Sequence, residues 1–240
     1  MMRLILLFFI TPMIAFSQIV NVEDKRQSDK KGISGFTKLS FNYKQAKKKD
    51  WELNNKSYLQ WDNKYWSILL LNEINIDRAD GIDFSNDGYQ HLRISRHLNK
   101  ISIESFLQNQ YDPIRSIKNR KLIGAGIRFK IHEKYNVGIS SFYEHEILND
   151  ESKLSALRLN TYFNIEININ KVLLFQTTTY IQPNINKFGD CKTFNETSIQ
   201  VKISDRFSLS NIFSGSYDTY PATGVPEVIY SIKNGLIYKF

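Results

Sequence analysis

The chain holds one cysteine, Cys191, among 240 residues. A disulfide framework and a cysteine-built metal cage are therefore both excluded. Proline is scarce, at five residues, while apolar and charged residues reach 42% and 23%. That balance belongs neither to a disordered chain nor to a helical membrane bundle. Beyond residue 17 there is no apolar run of the roughly 18 residues a membrane helix needs. The four histidines, His91, His97, His132 and His145, show no metal-ligand spacing with a third ligand. No metal and no cofactor is expected. Helical periodicity is weak throughout. The net charge of +8 comes with no nucleic-acid-binding motif, so nucleic acid is not an expected partner.

What is present starts with a targeting signal. Residues 1–17 read MMRLILLFFITPMIAFS. Arg3 precedes an apolar stretch from Leu4 to Ile10, and Ala15 and Ser17 frame a cleavage site before Gln18. The stretch is too short to span a bilayer and has the order of a signal peptide. In the oxidising compartment this implies, Cys191 is expected to be a buried or poorly reactive thiol. Residues 18–31, with Lys25, Arg26, Lys30 and Lys31, read as a flexible periplasmic tail. Residues 32–240 form the remaining domain.

Period-two alternation dominates that domain. Gly32–Tyr43 places Ile33, Gly35, Thr37, Leu39, Phe41 and Tyr43 on one face. Ala156–Ile165 opposes Leu157, Leu159, Thr161, Phe163 and Ile165 to Arg158, Asn160, Tyr162 and Asn164. Alternation with β-branched and aromatic enrichment means half-buried strands. About 12 are expected, near 32–44, 50–61, 65–77, 87–98, 100–111, 119–131, 134–146, 154–165, 171–183, 192–203, 206–218 and 227–240. The third is ambiguous: either Trp66, Ile68, Leu70, Ile74 and Ile76, or Tyr65, Ser67, Leu69 and Leu71, face outward.

Short connections alternate with longer ones such as 78–86, 112–118, 184–191 and 219–226. This is the pattern of an antiparallel up-and-down transmembrane barrel, closed because lipid leaves no unpaired backbone tolerable. Aromatics near strand ends, among them Trp51, Trp61, Trp66, Tyr135, Tyr143, Phe207 and Tyr230, suit an interfacial girdle. The polar faces carry Arg93, Glu104, Arg120, Arg128, Glu144, Glu146 and Arg158, with signs that alternate between neighbouring strands. These seven are the candidate lumen network. They would either pair into a plug or form a polar constriction that selects small solutes. Gly124 and Gly126 fall on the same face and leave room for Phe106 or Phe142.

The final strand ends in Tyr230, Ile232, Asn234, Leu236, Tyr238 and Phe240. A terminal aromatic after apolar alternation resembles the assembly signal of bacterial outer-membrane barrels. Tyr238 and Phe240 would carry it to the barrel-assembly machinery. Glu104-Ser105-Phe106-Leu107-Gln108, the run from Asn119 to Arg128, and Tyr143-Glu144-His145-Glu146 follow at hairpin spacing. With them the chain resembles the outer-membrane family known as domain of unknown function 481, which includes a salt-induced outer-membrane protein. The resemblance spans roughly 32–240. It implies a barrel in the outer membrane of a Gram-negative bacterium and brings no established activity.

Catalysis is not expected. His145 and Ser141 share an outward face but stand roughly 13 Å apart, beyond hydrogen-bond reach. Outer-membrane lipids, lipopolysaccharide included, are the expected partners. Lys47–Lys49, Lys118, Arg120 and Lys121 would meet their phosphates. The reading is an outer-membrane barrel of uncharacterised role, a narrow small-solute channel or an envelope-integrity protein. The alternatives are a lipid-modifying enzyme and a secreted soluble barrel with an apolar ligand inside.

Overall fold

The computed structural model describes residues 21–23, 26, 31–45, 49–79, 82–204 and 207–238. The expected signal peptide, Lys47, Lys48 and Phe240 lie outside the described residues. Twelve strands follow in chain order. They are β1 (Gly32–Gln45), β2 (Lys49–Asp62), β3 (Trp66–Ala79), β4 (Ile82–Leu98), β5 (Ile101–Asp112), β6 (Ile117–His132), β7 (Tyr135–Leu148), β8 (Lys153–Asn168), β9 (Leu173–Asn184), β10 (Lys187–Lys202), β11 (Phe207–Asp218) and β12 (Val228–Tyr238). Each pairs antiparallel with the next, in one sheet ordered β1 to β12. The described ladders leave no rung between β12 and β1. The sheet nonetheless curls into a barrel. Arg115 after β5 reaches Ser216 on β11 at 3.1 Å, and Lys192 on β10 reaches Glu146 on β7 at 3.0 Å.

The alternation fixes which face is inside. On β3, Leu69 is 3% exposed and Leu70 is 44% exposed, so Trp66, Ile68 and Leu70 face outward. Outward apolar side chains recur on every strand, from Ile33 and Leu39 on β1 to Ile232 and Leu236 on β12. Charged side chains turn inward and are buried, as Arg93, Glu104, Glu144 and Arg158 are. A soluble barrel with an apolar ligand cavity would have the opposite arrangement, so that alternative is overturned. Trp61, Trp66, Tyr135 and Phe207 sit exposed beside the short turns, where a membrane girdle belongs.

Two strands begin earlier than their sequence pattern predicts, β4 at Ile82 and β10 at Lys187. Both stretches are rich in Asp, Gly and Asn and read as loops. Register shifts at Asp77/Arg78 and between Lys187 and Cys191 absorb the irregular residues, so pairing continues. The expected long connections at 78–86 and 184–191 shrink accordingly. A long connection remains at 219–227, while the expected 112–118 loop contracts to a 3₁₀ turn, Pro113–Arg115, capped by Asp112. The half-buried thiol of Cys191 is unpaired with any other cysteine.

Candidate functional site

The interior is built from side chains that alternate inward, and it holds one element that the strands do not supply. Residues 21–23 and 26, expected in a flexible periplasmic tail, lie inside the barrel. Val22 is buried in an apolar cluster with Tyr58, Leu69, Leu71 and Tyr89 from β2, β3 and β4. Asn21 donates to Glu196 on β10 at 2.9 Å. Glu23 lies 2.9 Å from Arg128 on β6, 2.8 Å from Arg26 and 3.7 Å from Arg93 on β4. The Tyr162 hydroxyl on β8 donates to it at 3.0 Å. Arg26 turns to Glu104 on β5 at 2.7 Å, and Arg93 meets the same carboxylate at 3.0 Å. One short segment thus touches most of the circumference.

Burial alone would raise the pKa of Glu23. Arg26, Arg128 and Arg93 outweigh it and hold the carboxyl down at about 2. A buried carboxylate is tolerated only when its oxygens are paired and hydrogen-bonded. Glu23 meets that condition through charge-assisted contacts. Gly138 helps to place one of them. A Cβ there would overlap the Tyr162 ring, so the missing side chain lets Tyr162 lie flat and aim its hydroxyl at Glu23.

A second cluster lies toward the long connections, centred on Glu144 of β7. Arg120 of β6 approaches it at 2.5 Å, Arg158 of β8 at 2.6 Å and Lys192 of β10 at 3.2 Å. Lys192 also holds Glu146 at 3.0 Å, and Arg158 holds Asp190 at 2.8 Å. Aromatic rings separate the two clusters. His91 stacks on Phe106, and Phe106 meets Phe142 edge-on at 6.3 Å. Across the lumen Tyr162, Tyr180 and Phe194 form a second row. Gly124 makes room for the first row: a Cβ there would come within 2.6 Å of both Phe106 and Phe142.

This septum divides the interior. At the short-turn end a chamber of about 510 Å³ is lined by residues including Arg26, Asp62, His97 and Arg128. At the long-connection end a chamber of about 360 Å³ is lined by residues including Arg115, Arg158, Lys192 and Tyr220. Between them lies a small cavity of about 30 Å³, beside Val22, Arg93 and Phe142, room for about one water molecule.

The structure places all seven expected lumen residues on the inward face, but splits them. Arg93, Glu104 and Arg128 gather around Glu23, and Arg120, Glu146 and Arg158 join Glu144 in the cluster with Lys192. Sequence reasoning misses Glu23, Arg26, Lys192 and Asp190. Only Lys192 leaves a signal, through its alternation with Phe194 and Glu196. Arg120 is also expected to meet lipid phosphate. It is 1% exposed and faces the lumen, because the β6 alternation turns it inward; Lys118 is ion-paired with Glu151. Lys118, in that exposed pair, and Lys121 both keep exposed side chains. His145 Nδ1 lies 2.9 Å from Ser155 Oγ on β8, so its serine neighbour is Ser155. Among the described residues no carboxylate is hydrogen-bonded to that ring, and no three metal-ligating side chains gather.

The model of a family described as proteins of unknown function, DUF481, matches residues 37–240. No curated protein matches the chain. A NanC porin structure is 13% identical, with 87% of this chain and 98% of that chain covered, at a TM-score of 0.50. A further porin is 8% identical, covering 78% and 62%, at a TM-score of 0.42. The NanC likeness supports the porin-type barrel as a fold.

Proposed function

The chain belongs to the DUF481 family of proteins of unknown function, from which it inherits no activity, and we propose that it is a narrow channel for small polar solutes, shut in this conformation by its own N-terminal segment. It would work in the outer membrane of a Gram-negative bacterium, without catalysis. The observation that carries this reading is the Glu23 cage. It joins β4, β6 and β8 through contacts of 3.7, 2.9 and 3.0 Å and stands between two chambers of about 510 and 360 Å³. A narrow pore lined by ionic side chains selects small polar solutes by size and charge. Twelve strands lie between filled eight-stranded barrels and open sixteen-stranded porins, a size at which a plug can decide whether anything passes.

Planar-bilayer recording tests this. The mature protein should stay mostly closed, and the double variant Glu23→Ala, Arg26→Ala should show sustained conductance steps. Silence from both would remove the channel. The filled interior would then support the second reading, an envelope-integrity barrel stiffened by its ionic core. Assembly through the last strand belongs to the same proposal. A chain lacking Phe240 should insert poorly in reconstituted assembly, and normal insertion would remove the terminal signal.

A further inference from the structure

The outer wall carries a feature that the channel does not use. Strand register aligns Leu70, Leu92, Leu107, Ile123 and Tyr143 in one outward row across β3 to β7. Two residues along each strand, the next outward row is Gln90, Asn109, Lys121 and His145, and it continues to Ser155. The trough between the rows has a volume of about 470 Å³. Its floor and lower wall are apolar. Its upper rim is polar, with Asn109 donating to Gln90 at 2.8 Å and Asn119 donating to Asn109 at 3.0 Å. A contiguous apolar trough on an outward face needs a nonpolar occupant.

We propose that this trough holds one acyl chain of a phosphate-bearing outer-leaflet lipid, with the phosphate at Lys121 and His145. Charge complementarity selects that occupant. Lys121 is exposed and directly opposite His145 in the β6–β7 register. Lys118 is taken by Glu151 and Arg120 by Glu144; among the described residues Lys121 has no ion-pair partner. With Nδ1 of His145 accepting from the Ser155 hydroxyl at 2.9 Å, the other ring nitrogen carries the proton and can donate to a phosphate oxygen. Lipid tails are as apolar as leucine, so moving a chain from bulk lipid into the trough gains little. Discrimination among lipids therefore resides in the cationic rim. The inference rests on the outer-membrane placement proposed above, but not on conduction.

Native mass spectrometry of the full mature protein in detergent tests the site, with bisphosphorylated lipid A as the probe. Lys121→Gln should bind it about fivefold more weakly, the share of one lysine at an anionic surface. Dephosphorylated lipid A should lose a similar factor on the wild type. Leu107→Trp, which fills the trough and displaces the seated chain, should weaken retention in detergent by a comparable factor. Lys130→Gln, on the same strand near the short turn, should bind normally and show that a lysine change alone does not matter. Equal retention by wild type, Lys121→Gln and Leu107→Trp would overturn the site, as would displacement of the lipid by millimolar inorganic phosphate. No current is measured, so failure here leaves the channel reading standing.

Discussion

Glu23 and Arg128 are 105 positions apart in the chain, and their side chains meet at 2.9 Å. That contact ties the segment before the first strand to the middle of the barrel wall. It makes the docking of that segment an electrostatic property that acid and mutation can each address.

Acid should release the segment. The Glu23 carboxyl is held at about 2 by Arg26, Arg128 and Arg93 against the opposing effect of burial. A lowered carboxylate pKa adds docking stability that is complete above the ordinary Glu value of about 4.3 and lost toward the docked value. Conductance should therefore stay low from neutral pH to about 5 and rise progressively between about 4 and 2. Glu23→Gln should be flat across that window. An identical acid response in both proteins would show that another group is responsible.

Glu144 should matter more to stability than Glu146. Glu144 takes the short contacts from Arg120 and Arg158, 2.5 and 2.6 Å, while Glu146 stands 3.9 Å from Arg120. Removing one member of a buried ionic cluster typically costs about 3–5 kcal/mol, because its partners stay buried without compensation. Urea unfolding of liposome-embedded protein should place Glu144→Ala at about that loss, with Glu146→Ala well below it. Equal losses would mean that the cluster has no centre.

The wall is thin where rings need space. Gly124→Leu must displace Phe106 and Phe142, each within 2.6 Å of where the new Cβ would sit, and overpacking of this kind costs about 1–3 kcal/mol. Gly235 on β12 has nothing within 4 Å of the equivalent point. Gly235→Ala should stay within about 0.5 kcal/mol of the parent. The same unfolding measurement checks both, and equal effects would mean that the rings yield without cost.

Neighbouring leucines on β3 should respond differently to charge. Leu70 faces outward at 44% exposure, and Leu69 lies in the interior cluster with Val22. Leu70→Arg should cost up to about 2–4 kcal/mol in a bilayer, depending on depth. In detergent micelles that loss should shrink. Leu69→Arg should loosen the docked segment in either medium and raise conductance. Matching behaviour of the two variants would put the strand the other way round.

Period-two alternation carries most of the strand pattern, since each strand keeps one face toward lipid and one toward the axis. It cannot orient β3, where Ile68, Leu69, Leu70 and Leu71 are all aliphatic; the register with β2 and β4 decides that. It also cannot show that Lys192 meets Glu144 and Glu146, 48 and 46 positions away, because two whole strands intervene. Arg120 reads both as a lumen side chain and as a lipid contact; one residue to either side on β6 is the difference. Glu23 is illegible for another reason. Its segment has no period, and apart from Arg26 its partners lie on β4, β6 and β8, so nothing local marks it as interior.

The position of Asn21, Val22 and Glu23 constrains how the molecule is made. They come before β1, yet twelve strands surround them. The wall cannot finish as a hollow cylinder and receive them through its side. It has to be wound about them, as sheet metal is rolled on a mandrel, or they must thread in through the end where β1 begins. In either case the Glu23 contacts with β6 and β8 form only after two thirds of the strands are made, so seating this segment is a late event in the life of each copy.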